Sequence, residues 1–171
     1  MEELKKFIRE VPDFPKKGIL FYDITTLIKN PEAFKKVNDL FFEFYKDKNI
    51  DIIAGIESRG FIFGSVLADR LNKSFVLIRK PGKLPADKIS KSYELEYGIN
   101  TIELHKDAVS PGKNVLIIDD LLATGGTAKA AAELVETLGG KIIGFAFVIE
   151  LDFLNGRDAL SNYDIKTLIH Y

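Results

Sequence analysis

Apolar and polar positions recur along this chain with two alternating periods. From Pro31 to Lys48, Phe34, Val37, Leu40, Phe41 and Phe44 fall at helical spacing opposite Lys35, Lys36, Asp39 and Glu43, which predicts a helix laid over a sheet. Asp51 to Ile56 and Ser74 to Arg79 read as strands, with a helix from Phe61 to Leu71 between them. Val115 to Ile118 is short, wholly apolar and rich in β-branched residues, as in a central parallel strand covered on both faces. Ala128 to Leu138 follows as a helix with its alanines on the packed side and Glu133 and Glu136 exposed. Lys141 to Glu150 and Asp164 to Ile169 supply the last strands. This alternation predicts an α/β fold, a central and mostly parallel sheet flanked by helices.

Chemistry concentrates where the strand Val115–Ile118 runs into the helix. Asp119 and Asp120 stand at the strand's carboxyl end, and Ala123-Thr-Gly-Gly-Thr127 leads into the helix. Gly125 and Gly126 let the backbone turn its N–H groups inward with no Cβ in the way. Those N–H groups, the Thr124 and Thr127 hydroxyls and the helix dipole favour a bound phosphate. Asp119 and Asp120 only accept hydrogen bonds. They suit a vicinal diol, a divalent cation carried by the ligand, or both. Phosphate and diol together describe ribose 5-phosphate. The loop has neither the Gly-Lys-Ser/Thr ending of a P-loop nor the three-glycine spacing of a dinucleotide site. Taken alone, Thr-Gly-Gly-Thr is also compatible with a tight strand-to-helix turn capped by threonine.

The segment resembles the phosphoribosyl-diphosphate (PRPP) motif of the type I phosphoribosyltransferases. Four further motifs resemble the adenine-using branch of that family: Pro12-Asp-Phe-Pro-Lys-Lys-Gly-Ile-Leu-Phe-Tyr-Asp-Ile24, Gly55-Ile-Glu-Ser-Arg-Gly-Phe61, Arg79-Lys-Pro-Gly-Lys-Leu-Pro85 and Tyr93-Glu-Leu-Glu-Tyr-Gly98. The resemblance runs from the N-terminal helix onward. It implies transfer of the phosphoribosyl group of PRPP to adenine, giving AMP and diphosphate, a purine-salvage reaction with substrate-borne Mg2+ near Asp119 and Asp120. It also implies one domain over residues 1–171, with an N-terminal hood (1–30) over the base and a flexible lid (81–99).

Each motif then takes a role. Ser58 and Arg59, at a strand end before a helix, suit the diphosphate, since a delocalised guanidinium matches many oxygens. The resemblance implies a cis peptide between Glu57 and Ser58. It makes Arg79, Lys80 and Lys83 further diphosphate ligands, and the reach of Arg79 into a neighbouring site implies a homodimer. Pro81 stands where some relatives carry a basic residue, which lowers the positive charge there.

Leu20, Phe21 and Tyr22 are implied to bind adenine. In an extended strand the Leu20 C=O and the Tyr22 N–H share an edge, matching the N6 donor and N1 acceptor of adenine, while Phe21 offers a stacking face. Some relatives have arginine at the Tyr22 position, which bears only on a side-chain role. Pro81 to Ile99 holds two prolines, two glycines and several lysines. An exposed hairpin accounts for its charges; beside a sugar-phosphate site, a mobile lid that excludes water is the stronger reading. Glu96 is implied to handle the adenine proton or contact N7, with Tyr97 over the leaving group. Both histidines, His105 and His170, receive no role.

Composition sets limits. The chain has 171 residues, 46% of them hydrophobic, enough for one sizeable core. A formal net charge of −1, with acids interleaved among the lysines, gives no field for nucleic acid or an anionic membrane. No cysteine is present, which excludes disulfides and thiol chemistry. The start, Met1-Glu-Glu-Leu-Lys-Lys-Phe7, has no apolar signal core, so cytoplasm is the expected compartment. Three alternatives stand beside the main reading. They are a phosphoribosyltransferase for another base, a PRPP-sensing regulator that binds nucleic acid, and an unrelated nucleotide-binding α/β protein.

Overall fold

The computed structural model describes residues 1–95 and 98–171. Five parallel strands form the central sheet: β3 (Ile52–Ile56), β4 (Ser74–Ile78), β7 (Asn114–Leu122), β8 (Lys141–Glu150) and β9 (Ile165–His170), in the order β4-β3-β7-β8-β9. The order reverses between β3 and β7, so the loops after these two strands diverge and open a crevice at their carboxyl ends.

An unbroken apolar strand feeds two cores because its side chains alternate. Leu116 and Ile118 of β7 join Val37 and Phe41 of α2 (Pro31–Tyr45) and Phe63 and Leu67 of α3 (Gly60–Leu71) on one face. Val115 and Ile117 meet Ala128, Ala131, Ala132 and Val135 of α4 (Gly126–Thr137) on the other. Asn30 caps α2, its side chain accepting from the Ala33 N–H at 2.9 Å, and Pro31 fills the first helical position, where no N–H is needed.

Two small antiparallel sheets complete the molecule. The N-terminal one pairs β1 (Arg9–Pro12) with β2 (Leu20–Asp23) and leads into a short α1 (Thr25–Lys29). Leu4, Ile24 and Leu27 anchor it in the same core as α2 and β7, each contributing about 1.5–3 kcal/mol by burial. The second pairs β5 (Lys88–Leu95) with β6 (Gly98–His105) and lies along α4.

Several expectations shift. β7 runs past its wholly apolar stretch to Leu122, so Asp119 and Asp120 lie within the strand rather than after it. α4 begins at Gly126, which puts Thr127 inside the helix, and the N-cap is Gly125 at φ 82° rather than a threonine. Along α2 the buried face includes Tyr45, whose hydroxyl donates to the Phe145 carbonyl at 3.2 Å, while Phe44 turns outward. Glu133 is half-buried instead of exposed, because Lys91 of β5 pairs with it at 2.5 Å. The segment expected as a lid contributes the first arm of the hairpin, and its second arm, β6, runs on to His105.

Candidate active site

The site assembles from the carboxyl ends of β3 and β7. α3 starts directly after the Glu57–Arg59 turn and lies close on β7 because residue 60 is glycine. A Cβ there would stand 2.6 Å from the Ile118 carbonyl oxygen and 3.1 Å from Asp119 Oδ1. That contact brings the Arg59 turn down onto the aspartate pair. Arg59 Nε donates to Asp120 Oδ2 at 2.5 Å, and the Asp120 N–H donates to Asp119 Oδ1 at 2.8 Å. The Glu57–Ser58 peptide is cis.

The two carboxylates differ in surroundings. Asp120 is 4% exposed and held by Arg59, whereas Asp119 is half-buried. Burial, followed by the negative charge of Asp120, raises the Asp119 carboxyl well above the usual carboxylate range. Hard oxygen donors that repel one another in this way fit a divalent cation brought by a ligand.

Ser58, Arg59, Lys80, Asp119, Asp120 and Thr127 line one cleft of about 480 Å3, together with Tyr93 and residues of β6. A second hollow of about 130 Å3 is bounded by Asp119, Ala123, Thr124, Gly125, Gly126 and Thr127. The first intrahelical bond of α4 runs from the Lys129 N–H to the Gly125 carbonyl at 2.9 Å. The N–H groups of Gly126, Thr127 and Ala128 therefore have no partner within the helix, and the first turn carries no acid to oppose an anion.

Not every expected ligand reaches the cleft. Arg79 turns to Glu57 of its own chain, with Nε and Nη2 at 3.2 and 3.1 Å from the carboxylate, and its Nη1 donates to the Lys83 carbonyl. Burial raises the Glu57 carboxyl, but the Arg79 guanidinium and the Lys80 N–H outweigh it and leave the group below its ordinary range. Lys83 is absent from the residues lining the cleft. Phe21 lies beneath Arg59, with the guanidinium carbon 5.7 Å from the ring centre, so the hood meets the β3 turn there. Tyr22 stacks on Tyr171 with ring centres 3.9 Å apart, which commits its side chain elsewhere. Across the β1–β2 ladder Pro12 stands opposite Leu20. Proline has no N–H to donate, so the Leu20 carbonyl receives no ladder bond from it. Glu96 and Tyr97 lie outside the described residues.

Sequence reasoning missed Tyr93 and the β6 residues Asn100 and Thr101 as parts of the cleft wall. The period-two signal of Ile102 and Leu104, both buried, marks this second arm. It also gave His170 no partners. In the fold His170 contacts Thr167 Oγ1 at 2.8 Å and Asp152 Oδ1 at 2.9 Å, beside Glu150, whose buried carboxylate Arg157 clamps with two bonds of 2.7 Å.

An open parallel sheet with a partner-free helix start and paired carboxylates at its switch point is the arrangement of the type I phosphoribosyltransferase fold. Residues 23–169 match the family model described as phosphoribosyl transferase domain. The chain is 60% identical over 167 residues to the adenine phosphoribosyltransferase of Halothermothrix orenii, covering 98% of each. It superposes on the crystal structure of the Thermoanaerobacter pseudethanolicus adenine phosphoribosyltransferase with a TM-score of 0.96, at 53% identity and 99% coverage of both chains. The Saccharomyces cerevisiae enzyme, solved with an imino-altritol bisphosphate and adenine, gives a TM-score of 0.92 at 46% identity, covering 98% of this chain and 97% of that one. The chain belongs to the adenine phosphoribosyltransferase family.

Proposed function

We propose that this protein converts adenine and PRPP to AMP and diphosphate. The observation that carries the reading is the convergence of the Ser58–Arg59 turn, Asp119 and Asp120 on one cleft that shares Asp119 and Thr127 with the hollow at the amide-rich start of α4. The 5-phosphate sits on Ala123 to Thr127, the ribose hydroxyls face Asp119, and the diphosphate lies against Ser58, Arg59 and Lys80. Adenine N9 forms the bond to ribose C1 as the C1–oxygen bond to diphosphate breaks; the diphosphate leaves with the electron pair, and N9 gives up its proton. Arg59 stabilises the charge that gathers on the leaving group, a term worth far more in a desolvated cleft than in water. Asp119 and Asp120 would face substrate-borne Mg2+, which neutralises diphosphate charge when bound.

Base recognition falls to the hood, with the Leu20 carbonyl accepting from the adenine N6 amino group, the Tyr22 N–H donating to N1, and Phe21 packing against the ring. The resemblance supports Glu96 for the adenine proton, Tyr97 over the leaving group, and the 81–99 segment as a lid that keeps water from the reacting C1. It also supports a homodimer through Arg79, with Lys83 at the same basic edge, and a cytoplasmic setting. No described helix is long and apolar enough to cross a membrane.

The test incubates the purified protein with PRPP, Mg2+ and, in turn, adenine, hypoxanthine, guanine and orotate, and follows nucleotide and diphosphate. AMP from adenine alone is the expected result. Turnover of another base keeps the transfer and removes the hood assignment; no turnover with any base overturns the reading.

A further inference from the structure

We propose that Tyr93 is a positioning residue for the 5-phosphate, acting through the Thr127 hydroxyl and fastening the β5–β6 hairpin to the start of α4 when phosphate arrives. The inference rests on the assignment of that helix start to the phosphate.

Thr127 Oγ1 donates to the Tyr93 hydroxyl oxygen at 2.9 Å. The Tyr93 ring lies over Gly126, where a Cβ would come 3.5 Å from Tyr93 Cδ2 and 3.8 Å from the Glu94 carbonyl oxygen, so the hairpin rests directly on the first turn of the helix. Two residues back along the same strand, Lys91 pairs with Glu133 farther down α4 at 2.5 Å. The hairpin is thus held to the helix at two points, and one of them is a group assigned to the substrate.

A hydroxyl has one proton to give, and a phosphate dianion only accepts. Once phosphate occupies the hollow, Thr127 must redirect its proton from Tyr93 to the phosphate. Tyr93 then becomes the donor to Thr127 Oγ1, and the bonds run one way, from Tyr93 to Thr127 to phosphate. Bonds aligned in this sense polarise one another, which strengthens both the grip on phosphate and the hold on the hairpin. The phenol suits this task better than a second serine or threonine, because its flat ring also covers the glycine turn.

Titration calorimetry with ribose 5-phosphate tests this on the wild-type protein, Tyr93→Phe, Thr127→Val and the double variant. Tyr93→Phe keeps the ring on Gly126, so the fold is retained while the hydroxyl is lost. The expected result is about three- to tenfold weaker binding for Tyr93→Phe. The double variant should bind no more weakly than Thr127→Val alone, and the KM for adenine should hold. In hydrogen exchange, ribose 5-phosphate should protect the amides of residues 88–95 in the wild type and much less in Tyr93→Phe. Wild-type affinity in Tyr93→Phe, additive losses in the double variant, or an equal rise in the adenine KM each overturn the inference. Failure of the wild type itself to bind ribose 5-phosphate is a separate outcome, which removes the phosphate assignment beneath it.

Discussion

Asp119 and Asp120 are neighbours in sequence with different tasks. Asp120 is buried and spends its carboxylate on Arg59, while Asp119 borders both the cleft and the smaller hollow beside it. Replacing Arg59 with glutamine removes the cation that the proposed mechanism sets against the leaving group and leaves Asp120 buried without its partner. The turnover number should fall about a hundredfold or more, measured by steady-state kinetics with saturating adenine. Asp119→Asn should act oppositely on fold and function. Asparagine still accepts from the Asp120 N–H but cannot ionise, so the ligand-free protein should be more stable by about 0.5–2 kcal/mol near pH 7 while losing activity. The sign follows from the raised carboxyl. Its penalty is absent below the unfolded value near 4 and grows as pH rises toward the folded one, so the advantage of asparagine should shrink in melts run toward pH 4. The closeness of the two acids to the glycine turn was legible in the sequence, because they share one strand-to-helix connection. Their division of labour was not, since Arg59 lies 61 positions from Asp120 and meets it only through the close approach at Gly60.

At the scale of elements, the Ala123–Thr127 loop depends on a segment that carried no signal. The two 3-10 turns Asp152–Leu154 and Gly156–Leu160 back the loop so closely that a Cβ on Gly125 would lie 2.4 Å from the Gly156 carbonyl oxygen, and one on Gly156 would lie 2.2 Å from that of Ala123. Arg157, clamped on Glu150, keeps the turn in place. Gly125→Ala combines this clash with a left-handed φ of 82° and should cost about 2–4 kcal/mol; Gly156→Ala meets only the clash and should cost about 1–3, both read from urea melts. The hood supplies a pH test. Burial pushes the Asp23 carboxyl up, but the Thr25 N–H, the Arg9 guanidinium and the Thr25 hydroxyl outweigh it and bring the group down to about 2. A lowered carboxyl stabilises above the unfolded value and loses that contribution as pH falls through the folded one. The stability gap between wild type and Asp23→Asn should therefore narrow between about pH 4 and pH 2. Strands and helices of the central layer were readable because burial on one or both faces imposes a period. The 3-10 turns were not, because glycine contacts and paired side chains, rather than a repeating apolar face, hold them, and the hairpin's second arm carries its period in Ile102 and Leu104 alone.

Over the whole molecule, the proposed function has three sheets meet at one ligand, with the hood at the base end, the hairpin over the phosphate end and the parallel sheet carrying the turns between. In that reading AMP spans hood and loop together. At about a hundred times its dissociation constant it should stabilise the protein by about 2.7 kcal/mol, or roughly 5–10 °C for a chain of this size. IMP keeps the ribose and phosphate but presents O6 and N1–H, so the Leu20 carbonyl and the Tyr22 N–H each face a group of their own kind. Two failed bonds cost about 2–6 kcal/mol, which weakens IMP at least thirtyfold or so and holds its shift at the same concentration below about 4 °C. Thermal melts with the two nucleotides measure this directly. Equal shifts would mean that phosphate and ribose alone hold the nucleotide and that the backbone of β2 does not read the base. A large shift with AMP alone would locate selectivity in the backbone edge that Leu20 and Tyr22 share.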